Sequence, residues 1–473
     1  MEQPRVYNTE EDLIKWLKYD LKEQKKNISK EKKVSQNKVK KEELTLNIGN
    51  KDIKSCDENK KINFEFDFSA IIKKINIKNN EVYYKVNCSN LIFNKWVDFS
   101  DKKHNNRIVF HNEVKFNHVN FNEITYFVNI SFEKKVDFSN TLFNKRTYFN
   151  NIVFNCIVYF RSISIHQIEF GNIIIKENLH LSIMNINEKE NEKELIFKNI
   201  RFENEKSILN IFHIDIKINK FSLIKTIING IVNIKNAEVE TADFNGSVIN
   251  GGWVNPVKFK VHNFANRESA LFLKNEAYAR NNIIDALEYK AKEIEMHKKE
   301  LINKPNKTLK DWGNIFSIYL SSLYSDNGLN WIKSILVTLM LTLGIFSIYY
   351  SILKNTCHFV IMILVFLIFI RNIKKWISIY IHIIIFIFSL IFIDIAIYYA
   401  YSSILNKNIQ NINFIYEYYE YLNPTNYKEL EYLKEVNFIK QILAGLFYFL
   451  GKISFWYGSV QTVQSFRKFS KKE

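Results

Sequence analysis

The chain has 473 residues, of which 12 are glycine and 4 are cysteine, and it carries a formal net charge of +17. This length fits two or three structural units, and the positive charge favours anionic partners such as nucleic acid or membrane surfaces. The cysteines are widely and irregularly spaced without a CxxC pair, which argues against a disulfide framework or a zinc site and indicates a reducing compartment. We expect no cleavable signal peptide, because the first residues are charged and lack an apolar run.

The N-terminal residues predict a helix followed by a linker. Asn8 or Thr9 can cap a helix within residues 1–24, and acidic residues fill its first turn. Its apolar face would consist of Leu13, Trp16, Leu17 and Leu21. Residues 25–61 are rich in Lys, Glu and Asn and cannot offset their conformational entropy by burial, so we expect a disordered, solvated linker. A basic linker can also bind RNA, DNA or anionic lipid, but interleaved acidic residues and few aromatics argue against this.

Residues 62–262 contain phenylalanines separated mostly by five or six residues. Neither an amphipathic helix nor an alternating strand has this spacing. Another apolar or small side chain lies two residues before most rings, so both point to one side of a short extended segment. Four segments would close a coil of about 20–22 residues, and coils would stack about 4.8 Å apart with the rings in inner columns. The predicted ring positions are Phe93, Phe99, Phe110, Phe116, Phe121, Phe127, Phe132, Phe138, Phe143, Phe149, Phe154, Phe160, Phe197, Phe202 and Phe244.

The repeated letters resemble those of a known family. "VDFSN" (136–140) and "ADFNG" (242–246) resemble the unit of the pentapeptide-repeat proteins, in which a small residue, Asp or Asn, and Leu or Phe precede two variable positions. The resemblance implies a right-handed quadrilateral β-helix, here of about eight or nine coils. Between residues 165 and 230 the match is weaker, because Ile often replaces Phe. The alternative is a β-sandwich, but strands spaced by about eight to twelve residues would not keep this phase.

Residues 263–330 change to helical periodicity. Two helices within 266–301, separated at Asn281–Asn282, would cover the open end of the solenoid and protect it from edge pairing. This stretch, together with "GLNWIKS" (328–334), "LNPTN" (422–426) and the ending "QTVQSFRKFSKK", resembles a group of bacterial membrane-associated pentapeptide-repeat proteins. The resemblance implies an architecture, repeats followed by transmembrane helices, rather than an activity.

Residues 331–473 are dominated by apolar runs and predict a transmembrane domain. Runs of this length can cross about 30 Å of hydrocarbon. The four predicted spans are 334–353, 357–371, 376–401 and 441–463. With four spans, the basic flanking residues fall on one side and the acidic loop 402–440 on the other. The positive-inside rule then predicts a multi-pass protein with the solenoid and both termini in the cytoplasm. The resemblance implies that the membrane is the bacterial inner (cytoplasmic) membrane.

Residues that could carry chemistry are sparse. There is no Gly-rich phosphate loop, GxSxG or HExxH motif, so we expect no catalytic residue, no cofactor, no metal site and no enzyme activity. His104 occupies a ring position and is most simply a tolerated irregularity. Asp394 in the third span and Lys452 in the fourth are ionisable groups within predicted spans, and they form a candidate intramembrane pair.

Three functions fit these observations to different degrees. The leading hypothesis is a non-enzymatic integral membrane protein that displays the solenoid as a protein-interaction scaffold, with the lipid bilayer and an unidentified cytoplasmic protein as partners. The alternative is a membrane transport or ion-channel-like protein with the solenoid as a regulatory domain, although "FWYGSVQTV" lacks the TVGYG-type run of a potassium filter. Topoisomerase-binding DNA mimicry, known in soluble pentapeptide-repeat proteins, needs a densely acidic surface, whereas these corners mix Lys, Asn, Arg and Glu. We expect no specific nucleic-acid partner, and the oligomeric state stays open.

Overall fold

The structure is a computed structural model, and it describes two compact units of the chain. The described residues are 5–49, 60–75, 77, 79–101, 106–184, 193–214, 217–354, 414–423, 425, 433–434 and 436–467. The units are Met1–Arg280 and Asn281–Glu473. The first is built mainly from short strands and the second from helices.

The described part of the first unit forms a parallel β-solenoid of 27 strands that belong to one sheet. The strands are β1 (Val6–Tyr7), β2 (Thr45–Asn47), β3 (Lys60–Ile62), β4 (Phe66–Asp67), β5 (Glu81–Val82), β6 (Lys85–Asn87), β7 (Leu91–Phe93), β8 (Val97–Asp98), β9 (Ile108–Phe110), β10 (Val114–Lys115), β11 (Asn120–Phe121), β12 (Thr125–Phe132), β13 (Val136–Asp137), β14 (Leu142–Phe143), β15 (Thr147–Phe154), β16 (Val158–Ile165), β17 (Gln167–Gly171), β18 (Ile174–Ile175), β19 (Asn178–Ile183), β20 (Glu194–Lys198), β21 (Arg201–Phe202), β22 (Ile208–Ile214), β23 (Lys217–Ile224), β24 (Ile227–Ile228), β25 (Ile231–Asp243), β26 (Val248–Ile249) and β27 (Trp253–Phe264). Coils repeat mostly every 22 residues, as Val136 pairs with Val114 on one side and Val158 on the other. The predicted solenoid is confirmed at this level.

The phenylalanine rings fill the interior of the solenoid. All fifteen predicted ring positions are at most 2% exposed. Rings stack along each column at the spacing of neighbouring strands, and Phe138 lies 4.6 Å from both Phe116 and Phe160. A ring of the next column meets them edge to face, since Phe127 lies 5.5 Å from Phe138 at 89°. Stacked and edge-to-face contacts both suit the charge distribution of aromatic rings, so each ring is held from several sides.

Asparagines turn the corners between the extended segments. Asn129, Asn151, Asn172 and Asn199 have φ between 52° and 57° and lie at one corner in successive coils. Asparagine enters this left-handed region more readily than most residues, because its short side chain can hydrogen-bond locally. Another corner carries a hydrogen-bonded ladder of side-chain amides, formed by Asn63, Asn94, Asn122 and Asn144. The abundance of asparagine is therefore a consequence of the coil geometry.

Helix α1 (Glu10–Glu31) covers the first coil, and its side chains complete the hydrogen bonding of β2. The Gln24 amide pairs with Thr45 as a neighbouring strand would: its Nε2 donates to the Thr45 carbonyl at 2.8 Å, and its Oε1 accepts from the Thr45 amide at 2.9 Å. Trp16 Nε1 donates to the Asn47 carbonyl at 3.2 Å. A bare sheet edge would be free to pair with another chain, so α1 acts as the N-terminal cap of the solenoid.

The structure differs from the predicted disordered linker at residues 25–49. Helix α1 continues to Glu31, and two 3-10 helices, Gln36–Lys38 and Lys41–Glu43, lead into β2. Leu44, Leu46 and Ile48 of this stretch are at most 1% exposed. Few apolar residues suffice here because they pack onto an existing coil instead of forming a core of their own. The remainder of the predicted linker, apart from its last two residues in β3, lies outside the described residues.

Helix α3 (Arg267–Ala279) covers the other end of the solenoid. Its Phe272 ring stacks on Phe244 at 5.1 Å and so extends a ring column beyond the last coil. The Ser269 hydroxyl accepts a 2.7 Å hydrogen bond from the Phe244 amide, and Glu276 Oε1 accepts one of 3.2 Å from the Val254 amide. Burial raises the pKa of the Glu276 carboxyl. A short helix α2 (Phe68–Lys74) lies within the early coils.

The two predicted cap helices fall in different units. Only α3 belongs to the first unit, whereas α4 (Ile283–Asn303) belongs to the second. The chain turns between them because Asn281 adopts a φ of 57° and the Asn282 side chain caps α4 by accepting from the Asp285 amide. The solenoid is also longer than predicted, since its strands run from Val6–Tyr7 to Trp253–Phe264 instead of over 62–262.

The described part of the second unit consists of helices. They are α4, α5 (Leu309–Ser325), α6 (Trp331–Lys354), α7 (Phe414–Leu422) and α8 (Phe438–Phe466). By length and composition, the helices at Trp331–Leu353 and Phe438–Phe466 can cross a membrane. They coincide with the first and fourth predicted spans, 334–353 and 441–463. The second and third predicted spans lie outside the described residues.

The ring columns generate a test of the solenoid core. Replacing Phe138 by Ala is expected to destabilise the surrounding coils by about 3–5 kcal/mol, because the lost ring leaves a cavity between two rings. Hydrogen exchange of the full chain in detergent, followed at the amides of Phe116 and Phe138, measures this loss. Asp137→Asn is the matched control, because Oδ1 of Asp137 faces outward and accepts from the Ser139 amide, a contact that Asn keeps. Equal loss of protection in both variants would contradict the ring-column core.

Candidate functional site

The described residues contain no cluster that suggests metal or thiol chemistry. No group of three or more His, Cys, Asp or Glu side chains within them could hold a metal ion. Cys88 and Cys156 are free and buried. Burial raises the pKa of both thiols, to about 12 for Cys156, so both stay protonated at neutral pH and pack as small apolar groups. Predicted position His104 lies outside the described residues.

The most distinctive surface feature is a line of side chains that we call the outer column. Its members occupy the same outward position in successive coils and are Tyr159, His180, Asn210, Asn233 and Asn255. The rings of Tyr159 and His180 are stacked, with centroids 5.4 Å apart and planes inclined by 15°. The repeat period therefore aligns on the surface the same kind of stack that it aligns in the core.

Hydrogen bonds run along the outer column in one direction. Arg280 Nη1 donates to Asn255 Oδ1 at 3.0 Å, the Asn255 amide donates to Asn233 at 3.2 Å, and the Asn233 amide donates to Asn210 at 2.7 Å. The Asn210 amide ends the chain 3.2 Å from His180 Nδ1, which is the acceptor because an amide nitrogen can only donate. These hydrogen bonds link four coils and the end of α3 on the outside of the solenoid, and the stacked Tyr159 ring adds a fifth coil.

Two cations lie on the aromatic end of the outer column. The Arg161 guanidinium carbon is 4.0 Å and Lys135 Nζ 4.9 Å from the centre of the Tyr159 ring, and both cationic residues are exposed. Burial lowers the pKa of His180, and the charge of Arg161 lowers it further, so the imidazole is neutral at physiological pH. Tyr and Arg are enriched among the residues that carry binding energy in protein interfaces. This end of the outer column is our candidate interaction surface.

A similar arrangement lies at a different position of the coil. Tyr126 and Tyr148 pair between β12 and β15 and stack at 5.4 Å, and the Arg146 guanidinium carbon lies 5.4 Å from the Tyr148 ring centre. Here the cation is further from the ring and no histidine continues the stack. Tyr148 is therefore a matched control for Tyr159.

Lys452 has partners that differ from the predicted one. Its Nζ donates to the carbonyls of Tyr421 and Asn423, the latter at 2.9 Å, and lies 5.0 Å from the Tyr421 ring centre. These carbonyls end helix α7, where the helix dipole favours a cation. This contact gives Lys452 a structural role. Asp394 lies outside the described residues, so its pairing with Lys452 stays a prediction.

Small and polar side chains form the seam between α6 and α8. Ser334 and Thr338 of α6 are at most 5% exposed. The Ser334 hydroxyl donates to the Gly458 carbonyl at 3.3 Å and accepts from Thr462 Oγ1 at 3.0 Å. On α8 small buried residues recur every seventh position, at Ala444, Gly451, Gly458 and Ser465. Seams of this kind, with close backbones and interhelical hydrogen bonds, are typical of helices that pack within a membrane.

Sequence reasoning missed both surfaces, for different reasons. The outer column needs the pairing of strands that are 21 to 30 residues apart, including the irregular coils after residue 165. The seam had a readable signal, the seven-residue recurrence of small residues in α8, but the overall apolar character of the run masks it.

The seam generates a test of helix packing. A side chain at Gly458 would overlap Thr338, whereas one at Gly445 of the same helix would meet only Leu433 Cδ1 at 4.0 Å. Gly458→Ala is therefore expected to separate α6 from α8 and to lower the thermal midpoint of the detergent-solubilised protein by several degrees. Gly445→Ala is expected to leave it unchanged or raised. The same midpoint in both variants would mean that the two helices do not pack through this seam.

No family model, curated protein or solved structure matches this chain. The function is therefore inferred from the two surfaces described above, the cation-bordered end of the outer column and the polar seam of the helix pair, together with the composition of the chain.

Proposed function

We propose that this protein is a non-enzymatic integral membrane protein that displays its solenoid to the cytoplasm as a protein-interaction scaffold. The proposal includes the finer features expected from the sequence: a right-handed quadrilateral β-helix of the pentapeptide-repeat type, four spans, and both termini in the cytoplasm of a bacterium. The partner is a cytoplasmic protein that docks on the cation-bordered end of the outer column.

One observation carries the membrane part of the proposal: the polarity of α8 is reversed relative to that of a helix in a water-soluble protein. Phe449, Trp456 and Val460 are 64%, 55% and 50% exposed, whereas Gln461 and Ser465 are at most 7% exposed. In water this arrangement would expose apolar surface without compensation. In a bilayer it is favourable, because lipid solvates the apolar side chains and the polar ones find partners between helices.

The shape of the solenoid supports a scaffold more than a catalyst. Its interior is filled by rings, and its ends are covered by α1 and α3, so the described coils offer their outer faces to partners. Those faces carry side chains that repeat along a rigid axis, which suits extended binding surfaces. Arg161, Lys135 and Tyr159 combine charge with aromatic area, which matches a partner surface with acidic and aromatic side chains.

The transport alternative finds less support in the described residues. The segment Phe455–Val463, which superficially resembles a filter, is continuous α-helix within α8, so its carbonyls bond along the helix axis. Lys452, an ionisable residue within the fourth predicted span, contacts the end of α7. Proton or ion leakage that depends on Lys452 would nevertheless favour transport over the scaffold.

Topology is tested with single cysteines at Ile409 and Lys471 in a background without native cysteines. An impermeant thiol reagent added to intact cells is expected to label position 409 and not 471, because an even number of spans separates the latter from the cytoplasmic solenoid. Both positions should label after the cells are permeabilised. Labelling of both positions, or of neither, in intact cells would contradict the four-span arrangement.

The scaffold role is tested by photocrosslinking from the solenoid surface of the full-length protein in cells. A photoreactive phenylalanine analogue at Tyr159 is expected to give a discrete protein adduct, and Arg161→Glu is expected to abolish it by reversing the local charge. The same analogue at Tyr148, a stacked tyrosine elsewhere on the coil, is expected to give none. Equal adducts from both positions, or none from Tyr159, would overturn the assignment of the docking face.

A further inference from the structure

Helix α5 carries an unusual stripe of exposed apolar side chains. Its members follow one another at intervals of three and four residues and therefore share one face of the helix. We call this set, Leu309, Trp312, Phe316, Tyr319 and Leu323, the α5 stripe, and its members are 92%, 58%, 64%, 53% and 49% exposed. Five large side chains on one exposed face exceed the isolated exposed residues that are normal for a protein surface.

A neighbouring face of α5 is fixed to the rest of the second unit. Ile315 and Tyr324 are 6% and 3% exposed, and the Ser325 hydroxyl donates to Gln461 Oε1 of α8 at 2.8 Å. At its start, Thr308 and Asp311 form a capping box, and the ion pair with Lys304 lowers the pKa of Asp311 to about 2. The helix is thus anchored by one face, and the α5 stripe is held outward.

Lysines border the α5 stripe. Lys298 Nζ of α4 lies 4.9 Å from the centre of the Tyr319 ring, and Lys307 Nζ lies 5.9 Å from that of Trp312. Rings that carry a polar group and lie beside lysine chains are characteristic of the membrane–water interface. Helices with an apolar face bordered by cations lie in the plane of that interface and are attracted to anionic lipids.

The position of α5 in the chain places it at one end of the helix pair. Asp326, Asn327 and Gly328 have positive φ values of 52°, 58° and 88°, so the chain reverses sharply between α5 and α6. Trp331 at the start of α6 stacks on Phe466 at the end of α8, at 4.7 Å. An aromatic pair therefore marks the end of the helix pair at which α5 is attached, as aromatic belts mark the boundaries of spans.

We propose that α5 is an interfacial helix that lies on the cytoplasmic surface of the bilayer, with the α5 stripe inserted at the boundary between headgroups and acyl chains of anionic phospholipids. This inference rests on the proposed membrane location of α6 and α8. In this arrangement the lysines contact the lipid phosphates, and the aromatic rings exchange their contacts with water for contacts with lipid. The helix then sets the depth of the second unit in the bilayer and holds α4 close to the membrane surface.

The test uses the full chain in nanodiscs that contain phosphatidylglycerol and nitroxide-labelled lipid. An environment-sensitive fluorophore is attached to single cysteines at Phe316 in the α5 stripe, at Asn314 on another exposed side of α5, and at Phe449 of α8. Nitroxides near the headgroups are expected to quench position 316 at least about threefold more than position 314, since an interfacial helix buries only its apolar face. A deeper nitroxide is expected to quench position 449.

The three positions separate the possible failures. If position 449 is quenched but 316 is quenched no more than 314, the helix pair crosses the bilayer and the interfacial helix is wrong. If position 449 is not quenched, the membrane proposal itself fails. If position 316 is shielded from aqueous iodide without lipid quenching, a second copy or another protein covers the α5 stripe, and this also overturns the inference. Replacing Lys298 and Lys307 by Gln is expected to weaken the quenching at 316 only in anionic nanodiscs.

Discussion

Stacking of phenylalanine rings at the spacing of neighbouring strands is the interaction on which the solenoid depends. Hydrogen bonds set the distance between coils at about 4.8 Å, and rings at equivalent positions follow it, as Phe127 and Phe149 do at 4.7 Å. A ring that drifted by one residue would point outward. The corners must therefore return the chain to the same register in every coil, and the left-handed asparagines make that return at a lower cost than most residues would. The same repeat period also aligns the side chains of the outer column.

Because the coils of a solenoid are alike, an end coil has the same pairing groups as a central coil but lacks a neighbour on one side. Each end coil presents unpaired strand groups and a ring without a neighbour, and both invite another chain. The two caps solve this differently. At the N-terminal end Gln24 imitates a strand with its side-chain amide, whereas at the other end Phe272 imitates the next ring. One cap completes the hydrogen bonding and the other completes the column, so a helix packs against the coil at each end.

The ring columns and the two caps differ in how well they can be predicted from the sequence. Ring positions such as Phe138 were predictable, because a regular spacing of rings along the sequence indicates a repeated coil even when the residues around each ring vary. The cap formed by Gln24 was not, because a single amide acquires its role only from the strand it meets. Residues 44–48 were predicted to be part of a linker, because their apolar content is too low for an independent core. That content is nevertheless enough for the segment to pack as an added layer on an existing coil. For Lys452, the sequence identified an unusual residue but not its partners, which are carbonyls without a sequence signal.

The two units use opposite rules for placing polar and apolar groups. In the solenoid, rings are inside and amides outside, whereas α8 buries Gln461 and Ser465 and exposes Phe449 and Trp456. A single solvent would penalise one of these arrangements, and this contrast is the reason to propose that the second unit lies in lipid. In the second unit, α5 has one face hydrogen-bonded to the helix pair and another that carries aromatic rings beside lysines. Such a face suits neither water nor hydrocarbon alone, which is the physical reason to place it where the two meet.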